Sequence, residues 1–164
     1  MLMVRFGGLS HVNFFRKPAL DDSANAPKVL SVGQCGFDHR AIAGVFKSRL
    51  GAKVVHAGSF AEAAKALALE SYQLVLMNRI LDSDGTSGLE WIRRLKADPA
   101  LAETPLMLVS NYPDAQSQAE ELGALPGFGK SNLHSDALMQ RLKHVLNPVG
   151  ETPRLSESKE GDRE

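Results

Sequence analysis

One stretch of the sequence, residues 72–96, constrains the fold more than any other. It reads YQLVLMNRILDSDGTSGLEWIRRLK, so an apolar run ends on a polar residue, passes through a loop rich in Gly and Asp, and enters a helical pattern. The run at 74–77 is short and uniformly apolar, as is typical of a central parallel strand covered on both faces. Ser87 and Glu90 have the spacing of a capping box, which predicts a helix that begins at the next residue after the serine. The pattern indicates an α/β protein in which Asn78 opens a loop at the carboxyl end of a strand.

The composition argues against several classes of function. The chain has 164 residues, and its 19 basic residues balance 19 acidic ones, so no overall field would attract nucleic acid or an anionic membrane. Cys35 is the single cysteine, which excludes an internal disulfide, and no Cys/His cluster has the spacing of a zinc site. No apolar run approaches the roughly 18 residues that a membrane span requires. We therefore expect a cytoplasmic protein that binds neither nucleic acid nor membrane and uses no metal or other cofactor.

The chain divides into three segments. Residues 1–27 lack sustained periodicity and are predicted to form a flexible N-terminal extension. Residues 28–146 alternate five short apolar runs with five helical patterns, which predicts one α/β domain, a doubly wound five-stranded parallel sheet with helices on both faces. Residues 147–164 are polar and charged, so we expect a disordered C-terminal tail with no further domain. The strands are predicted at 28–32, 53–57, 74–77, 106–109 and 127–130.

The residues that end the predicted strands define a candidate site. In a doubly wound sheet, ligands bind at the carboxyl ends of the strands, near the point where the strand order reverses. The residues at these ends are Gly33 and Gln34 after the first strand, Asn78 after the third, Ser110 after the fourth and Lys130 after the fifth. We expect them to converge on one small polar pocket.

Two fragments of the sequence carry a resemblance to a known family. SGLEWIRRLKADPALAETPLMLVSN at 87–111 is very like the third helix and fourth strand of many receiver domains of response regulators, the CheY-like family. GFGK at 127–130, with its single lysine, resembles the ending of the same domains. The two fragments have the order and spacing that they have in receiver domains, and the resemblance covers about residues 28–146. The resemblance implies a flavodoxin-like fold of five βα units and a role in two-component signal transduction.

The candidate site departs from the family pattern. Receivers accept a phosphoryl group on an aspartate where this chain has Asn78, and they bind magnesium through acidic residues where it has Gly33 and Gln34. Ser110 and Lys130 match the family's Ser/Thr and lysine. An amide is a poor nucleophile, and replacing acidic ligands with glycine and glutamine removes most of the attraction for magnesium. The resemblance therefore implies a degenerate pseudo-receiver with a remnant pocket of Asn78, Ser110 and Lys130. Without a carboxylate partner, the lysine could hydrogen-bond to the Asn78 carbonyl oxygen.

These observations predict a phosphorylation-independent, receiver-like protein that is not an enzyme. It would act in signal transduction by binding a protein partner, and it could form a homodimer. Two alternatives stay open. In the first, Arg79, Ser110 and Lys130 hold a small molecule or anion in a sensing domain. In the second, a displaced aspartate in the longer loop, Asp82 or Asp84, accepts a phosphoryl group, although ordinary turn chemistry also explains this D-S-D-G segment.

Overall fold

The described part of the chain forms a parallel sheet in the order β2-β1-β3-β4-β5. The computed structural model describes residues 25–148, so most of the predicted extension at 1–27 and of the predicted tail at 147–164 lies outside the described residues. All neighbouring strands pair in parallel, and the order reverses at β1 and β3. This arrangement confirms the predicted flavodoxin-like, doubly wound fold. The strands are β1 (Lys28–Val32), β2 (Lys53–Ala57), β3 (Leu74–Asn78), β4 (Leu106–Val109) and β5 (Leu125–Phe128).

Five helices cover the two faces of this sheet. Helices α1 and α5 pack on one face, and α2, α3 and α4 pack on the other. Neighbouring residues of a strand point to opposite faces, so Leu74 packs in the core under α1 and α5, whereas Val75 packs in the core under α2, α3 and α4. No helix of the described residues is long and apolar enough to cross a membrane. The helices are α1 (Gly36–Leu50), α2 (Phe60–Leu69), α3 (Gly88–Ala97), α4 (Pro113–Glu121) and α5 (Asp136–Leu146).

The start of α3 was predicted at the correct residue but for an incorrect reason. Ser87 makes no side-chain cap hydrogen bond, and Glu90 pairs with arginines on its own helix instead. Ser87 forms an antiparallel bridge with Ile80, and the Gly88 amide donates to the Arg79 carbonyl at 2.8 Å. The helix therefore begins where the β3–α3 loop folds back on itself, which anchors it close to the end of β3.

The fifth strand lies two residues earlier than predicted. Instead of 127–130 it covers Leu125–Phe128, and Lys130 begins a short 3₁₀ turn. The strand includes Pro126, which lacks an N–H group, but β5 is an edge strand and tolerates the loss. Because the strand ends at Phe128, Lys130 stands in the loop above the sheet.

Candidate functional site

Three of the predicted site residues lie together at the carboxyl end of the sheet. Asn78, Ser110 and Lys130 line a cavity of about 240 Å³, with Arg79 and Tyr112 also in its wall. We call these first three residues the remnant pocket. The topology brings them together because β3, β4 and β5 are consecutive neighbours in the sheet. A larger groove of about 640 Å³ lies between the two ends of the described chain, beside Lys28, at the opposite end of β1 from these loops.

The side chain of Asn78 connects two loops. Its Nδ2 atom donates to the Gly33 carbonyl at 2.9 Å and to the Ile80 carbonyl at 2.7 Å. Gly33 follows β1, and Ile80 belongs to the β3–α3 loop, so one amide group holds both loops. A carboxylate has no proton to donate and could not make either contact.

Two glycines permit close packing of the loops next to Asn78. Gly33 has a φ of 72°, in the left-handed region, and a Cβ at this position would strike the Leu81 side chain. A Cβ on Gly88 would strike the Asn78 carbonyl oxygen and come within 2.9 Å of the Met77 side chain. Both glycines let neighbouring backbone or side chains approach directly, so the loops around Asn78 have little space to rearrange.

Lys130 has a partner that the sequence did not predict. Its Nζ atom forms an ion pair with Asp38 in the first turn of α1, in place of the predicted hydrogen bond to Asn78. The hydrogen bond from Lys130 lowers the pKa of the Asp38 carboxyl below its usual value, against the opposing effect of burial. Cys35 caps the same helix, and its Sγ atom accepts from the Asp38 amide at 3.5 Å. The pair therefore fixes the loop after β5 to the start of α1.

Ser110 is almost fully buried and its polar groups are engaged in the β4–α4 connection. Its Oγ atom accepts from the Tyr112 amide at 3.1 Å, and its carbonyl accepts from the Gln116 side chain at 2.5 Å. These contacts form the entry to α4. Because Oγ accepts through a lone pair, its hydroxyl proton remains available as a donor.

Three other polar residues of the β3–α3 loop were candidates, and the side chains of two of them have local partners. Arg79 lies over the Tyr112 ring, with its guanidinium carbon 4.6 Å from the ring centre, a cation–π contact. Asp84 accepts from the Thr86 amide at 3.0 Å and from the Thr86 hydroxyl, which lowers the pKa of the Asp84 carboxyl. Asp82 is exposed, and its amide donates to the Gly33 carbonyl at 3.0 Å. Asp84 thus has the role that turn chemistry predicts.

The residues after β1 do not fit a magnesium ion. Gly33 has no side chain, and Gln34 is 2% exposed with neither polar side-chain atom hydrogen-bonded. Asp38, in the first turn of α1 after this loop, is already paired with Lys130. Across residues 25–148, no group of three His, Cys, Asp or Glu side chains could hold a metal ion. Magnesium prefers several carboxylate and water oxygens, which this loop does not supply.

Comparison with solved structures relates the whole described domain to receiver domains. The receiver domain of a DNA-binding response regulator from Colwellia psychrerythraea is 21% identical, with a TM-score of 0.63 over 73% of this chain and 97% of that one. A response regulator from Thermotoga maritima is 23% identical, with a TM-score of 0.60 over 74% and 98%. The NtrX receiver domain of Brucella abortus is 21% identical, with a TM-score of 0.62 over 74% and 99%. No family model and no curated protein matches the sequence. The chain therefore has the fold of receiver domains.

Proposed function

We propose that this protein is a pseudo-receiver: a receiver-like signalling module that works without phosphorylation and without enzymatic activity. It would act in the cytoplasm by binding another signalling protein. It could also bind a second copy of itself and form a homodimer. The fold supports a place in two-component signal transduction, since the solved structures that it resembles are receiver domains. The residues at the carboxyl ends of its strands support the independence from phosphorylation.

The observation that carries the proposal is the hydrogen bonding of Asn78. Phosphoryl transfer to a receiver needs an anionic oxygen nucleophile at the end of β3, and this chain has a neutral amide there. The amide is also used in the structure, because Nδ2 donates to two carbonyl groups. Asn78 therefore contributes a structural contact that an acceptor carboxylate could not make.

The ion pair between Asp38 and Lys130 supports the same proposal. The lysine of a receiver would offset the charge of the transferring phosphoryl group, but Lys130 has an internal carboxylate partner. A charge pair within the protein gives the loop after β5 a fixed anchor without any modification. We infer that the remnant pocket is held in one conformation, and that the partner protein binds this conformation without a prior modification.

Two features of α4 support a role in protein binding. Its exposed side is weakly acidic, with Gln118, Glu120 and Glu121 facing solvent. Its apolar side is small, since the buried residues of this helix are two alanines, Ala115 and Ala119. The surface of α4, β5 and α5 is the one that receivers commonly offer to partners, so we propose it as the partner surface here.

The decisive experiment is an amide NMR titration of the full chain with magnesium and then with beryllofluoride, a mimic of the phosphoryl group. The chain is then incubated with acetyl phosphate, and mass spectrometry measures its intact mass. We expect no saturable shift at Asn78, Ser110 or Lys130 and no added phosphate mass. A variant with both Gln34→Asp and Asn78→Asp is the matched control, because it restores carboxylates at the two positions and tests whether the assay can detect binding. A saturable shift or a phosphorylated wild-type chain would refute the proposal.

The two alternatives have less support. An anion in the cavity would have to draw Arg79 from Tyr112 and Lys130 from Asp38, since both cations have partners. Phosphorylation at Asp84 would displace its contacts to Thr86, which leaves the exposed Asp82 as the other candidate acceptor in this loop. The same experiment separates them, because a phosphopeptide map would place added phosphate on the loop, whereas a simple oxyanion would shift the pocket without adding mass.

A further inference from the structure

Two of the large hydrophobic side chains that the described residues expose lie in one groove. Ile80, in the β3–α3 loop, is 38% exposed, and Tyr112, just before α4, is 62% exposed. Both line a groove of about 430 Å³ between this loop and α4. None of its lining residues in the described part of the chain belongs to β5 or α5. Neighbouring exposed apolar side chains in a concave surface often mark a binding site.

The apolar part of the lining also includes two residues that are better covered. Leu89, at the start of α3, is half-buried, and Ala115, in the first turn of α4, is buried. A volume of about 430 Å³ falls within the range of pockets that bind ligands. Binding between proteins commonly depends on a few large side chains that enter such pockets. The groove therefore fits an apolar anchor side chain from another protein.

The lining carries one positive and one negative charge. Arg79 lies over the Tyr112 ring, but no side-chain hydrogen bond or ion pair within residues 25–148 uses its guanidinium group. A cation–π contact leaves the N–H groups of an arginine able to donate. Asp114, in the first turn of α4, likewise makes no ion pair with the residues that the structure describes. An occupant that presents a carboxylate to Arg79 and a cation to Asp114 would match both charges.

Both walls of the groove are anchored to the remnant pocket. On one wall, the Asn78 amide donates to the Ile80 carbonyl at 2.7 Å. On the other wall, the Tyr112 amide donates to the Ser110 Oγ atom at 3.1 Å. Arg79, Ile80 and Tyr112 line both the groove and the cavity of the remnant pocket. Walls that are already fixed lower the entropic cost of binding, so the contacts of Asn78 and Ser110 prepare the groove for an occupant.

We propose that this groove is a docking site for a short segment of a partner protein. The segment inserts one large apolar side chain, places an acidic residue against Arg79 and places a basic residue against Asp114. The inference deepens the proposed function and rests on it, since it requires a partner that binds the unmodified chain. The groove adds an anchor point beside α3 to the partner surface of α4, β5 and α5.

A library of random peptides displayed on phage tests the chemistry of the occupant. The immobilised full chain is the target, and Tyr112→Ala is the target of a parallel counter-selection. We expect enriched sequences in which a large apolar residue stands within a few positions of one acidic and one basic residue. The proposal is wrong if no sequence is enriched, or if the enriched sequences lack the acidic residue.

An NMR titration of the isotope-labelled full chain with a synthetic copy of an enriched peptide locates the site. We expect saturable shifts that are largest at the amides of Ile80, Leu89 and Ala115. Largest shifts in β5 and α5 would place the peptide on the other surface and would overturn the assignment of the groove. This measurement uses the wild-type chain, so it holds even where a variant folds poorly.

Variants with matched controls measure what the groove contributes. Tyr112→Ala should weaken the peptide affinity by about tenfold or more. Phe37→Ala removes an aromatic side chain that is 81% exposed on α1, and it should leave the affinity unchanged. Equal affinities of Tyr112→Ala and the wild type would contradict the proposal.

Charge reversal tests the contact with Arg79 separately. Arg79→Glu should weaken binding, and replacing the acidic residue of the peptide with lysine should restore most of the lost affinity in this variant. A misfolded variant would gain nothing from a change in the peptide, so absence of rescue would refute the charge pairing. Uptake of phosphate by the wild-type chain would refute the proposed function in an experiment without peptide, whereas failure of the peptide titration would refute the groove alone.

Discussion

The sharpest prediction concerns the replacement Asn78→Asp, which exchanges the amide for a carboxylate of nearly the same shape. The change removes the donor that holds the Gly33 and Ile80 carbonyls, and it places a negative charge facing their oxygens. The partly buried bond to Gly33 contributes about 1 kcal/mol, and the exposed bond to Ile80 about half as much. Repulsion between the new charge and the carbonyl oxygens adds about 1 kcal/mol. We therefore expect N78D to lower the free energy of unfolding by about 2–3 kcal/mol at pH 7.

Urea denaturation followed by circular dichroism measures this effect. For a slope of about 1.5 kcal/mol per molar urea, the midpoint should fall by about 1–2 M. The introduced carboxyl would have a raised pKa in the folded state, because the charged form is disfavoured there. Its cost is then complete above the folded pKa and disappears below the unfolded value of about 3.9. The difference from wild type should therefore narrow towards pH 4.

Asn78→Ala is the matched control for the charge. It removes the same two hydrogen bonds without adding a carboxylate, so its destabilisation should be about 1–2 kcal/mol and independent of pH. The reasoning would be refuted if N78D were as stable as the wild type at pH 7. It would also fail if N78D showed the same deficit at pH 4 and pH 7, since the argument depends on the charge facing carbonyl oxygens.

Two further predictions test the surroundings of the remnant pocket. Gly88→Ala puts a methyl group against the backbone carbonyl oxygen of Asn78 and should lower the free energy of unfolding by about 2–4 kcal/mol. Gly44→Ala is the control: it lies in the middle of α1 with open space around it, and it should raise the free energy of unfolding by about 0.5–1 kcal/mol. Thermal denaturation measures both variants, and equal effects would contradict the packing argument. Asp38→Asn breaks the ion pair with Lys130 and should cost about 0.5–1 kcal/mol at pH 7, since both groups are partly exposed. Because the folded pKa of Asp38 is lowered, its stabilisation is present above the unfolded pKa and is lost as the pH falls through the folded one. Wild type and D38N should therefore converge in acid, and a gap that persists in unfolding curves at low pH would count against this assignment.

Most of the fold could be predicted from the sequence because its signals are local. Short apolar runs marked four of the five strands to within one residue of their observed bounds, and Gly51 ends α1 with a φ of 61° as its placement after the helix predicts. The fifth strand was predicted two residues too late, at 127–130. In a sequence, Pro126 resembles a residue that ends a strand, so the prediction began after it. Only the sheet order shows that β5 is an edge, where a proline is tolerated.

The candidate site was harder to predict because its contacts join residues far apart in the chain. The strand ends were found from their position alone, and the topology brings three of them together. Asp38 was missed, although an acidic residue in the first turn of a helix after β1 is visible in the sequence. The signal looks like an ordinary helix-end charge, and only the folded chain shows that Lys130 reaches it.

The left-handed glycine after β1 bears on how such a module could change over evolutionary time. An acidic side chain at position 33 would meet Leu81, whose Cδ1 atom lies 2.9 Å from the place of a new Cβ, and it would also be strained by the φ of 72°. A carboxylate introduced there by a single substitution would therefore destabilise the loop. Room for it needs a smaller residue at position 81, a change that by itself only opens a cavity. Each of the two substitutions alone lowers stability, so a metal ligand at position 33 is two coupled changes away from the present sequence.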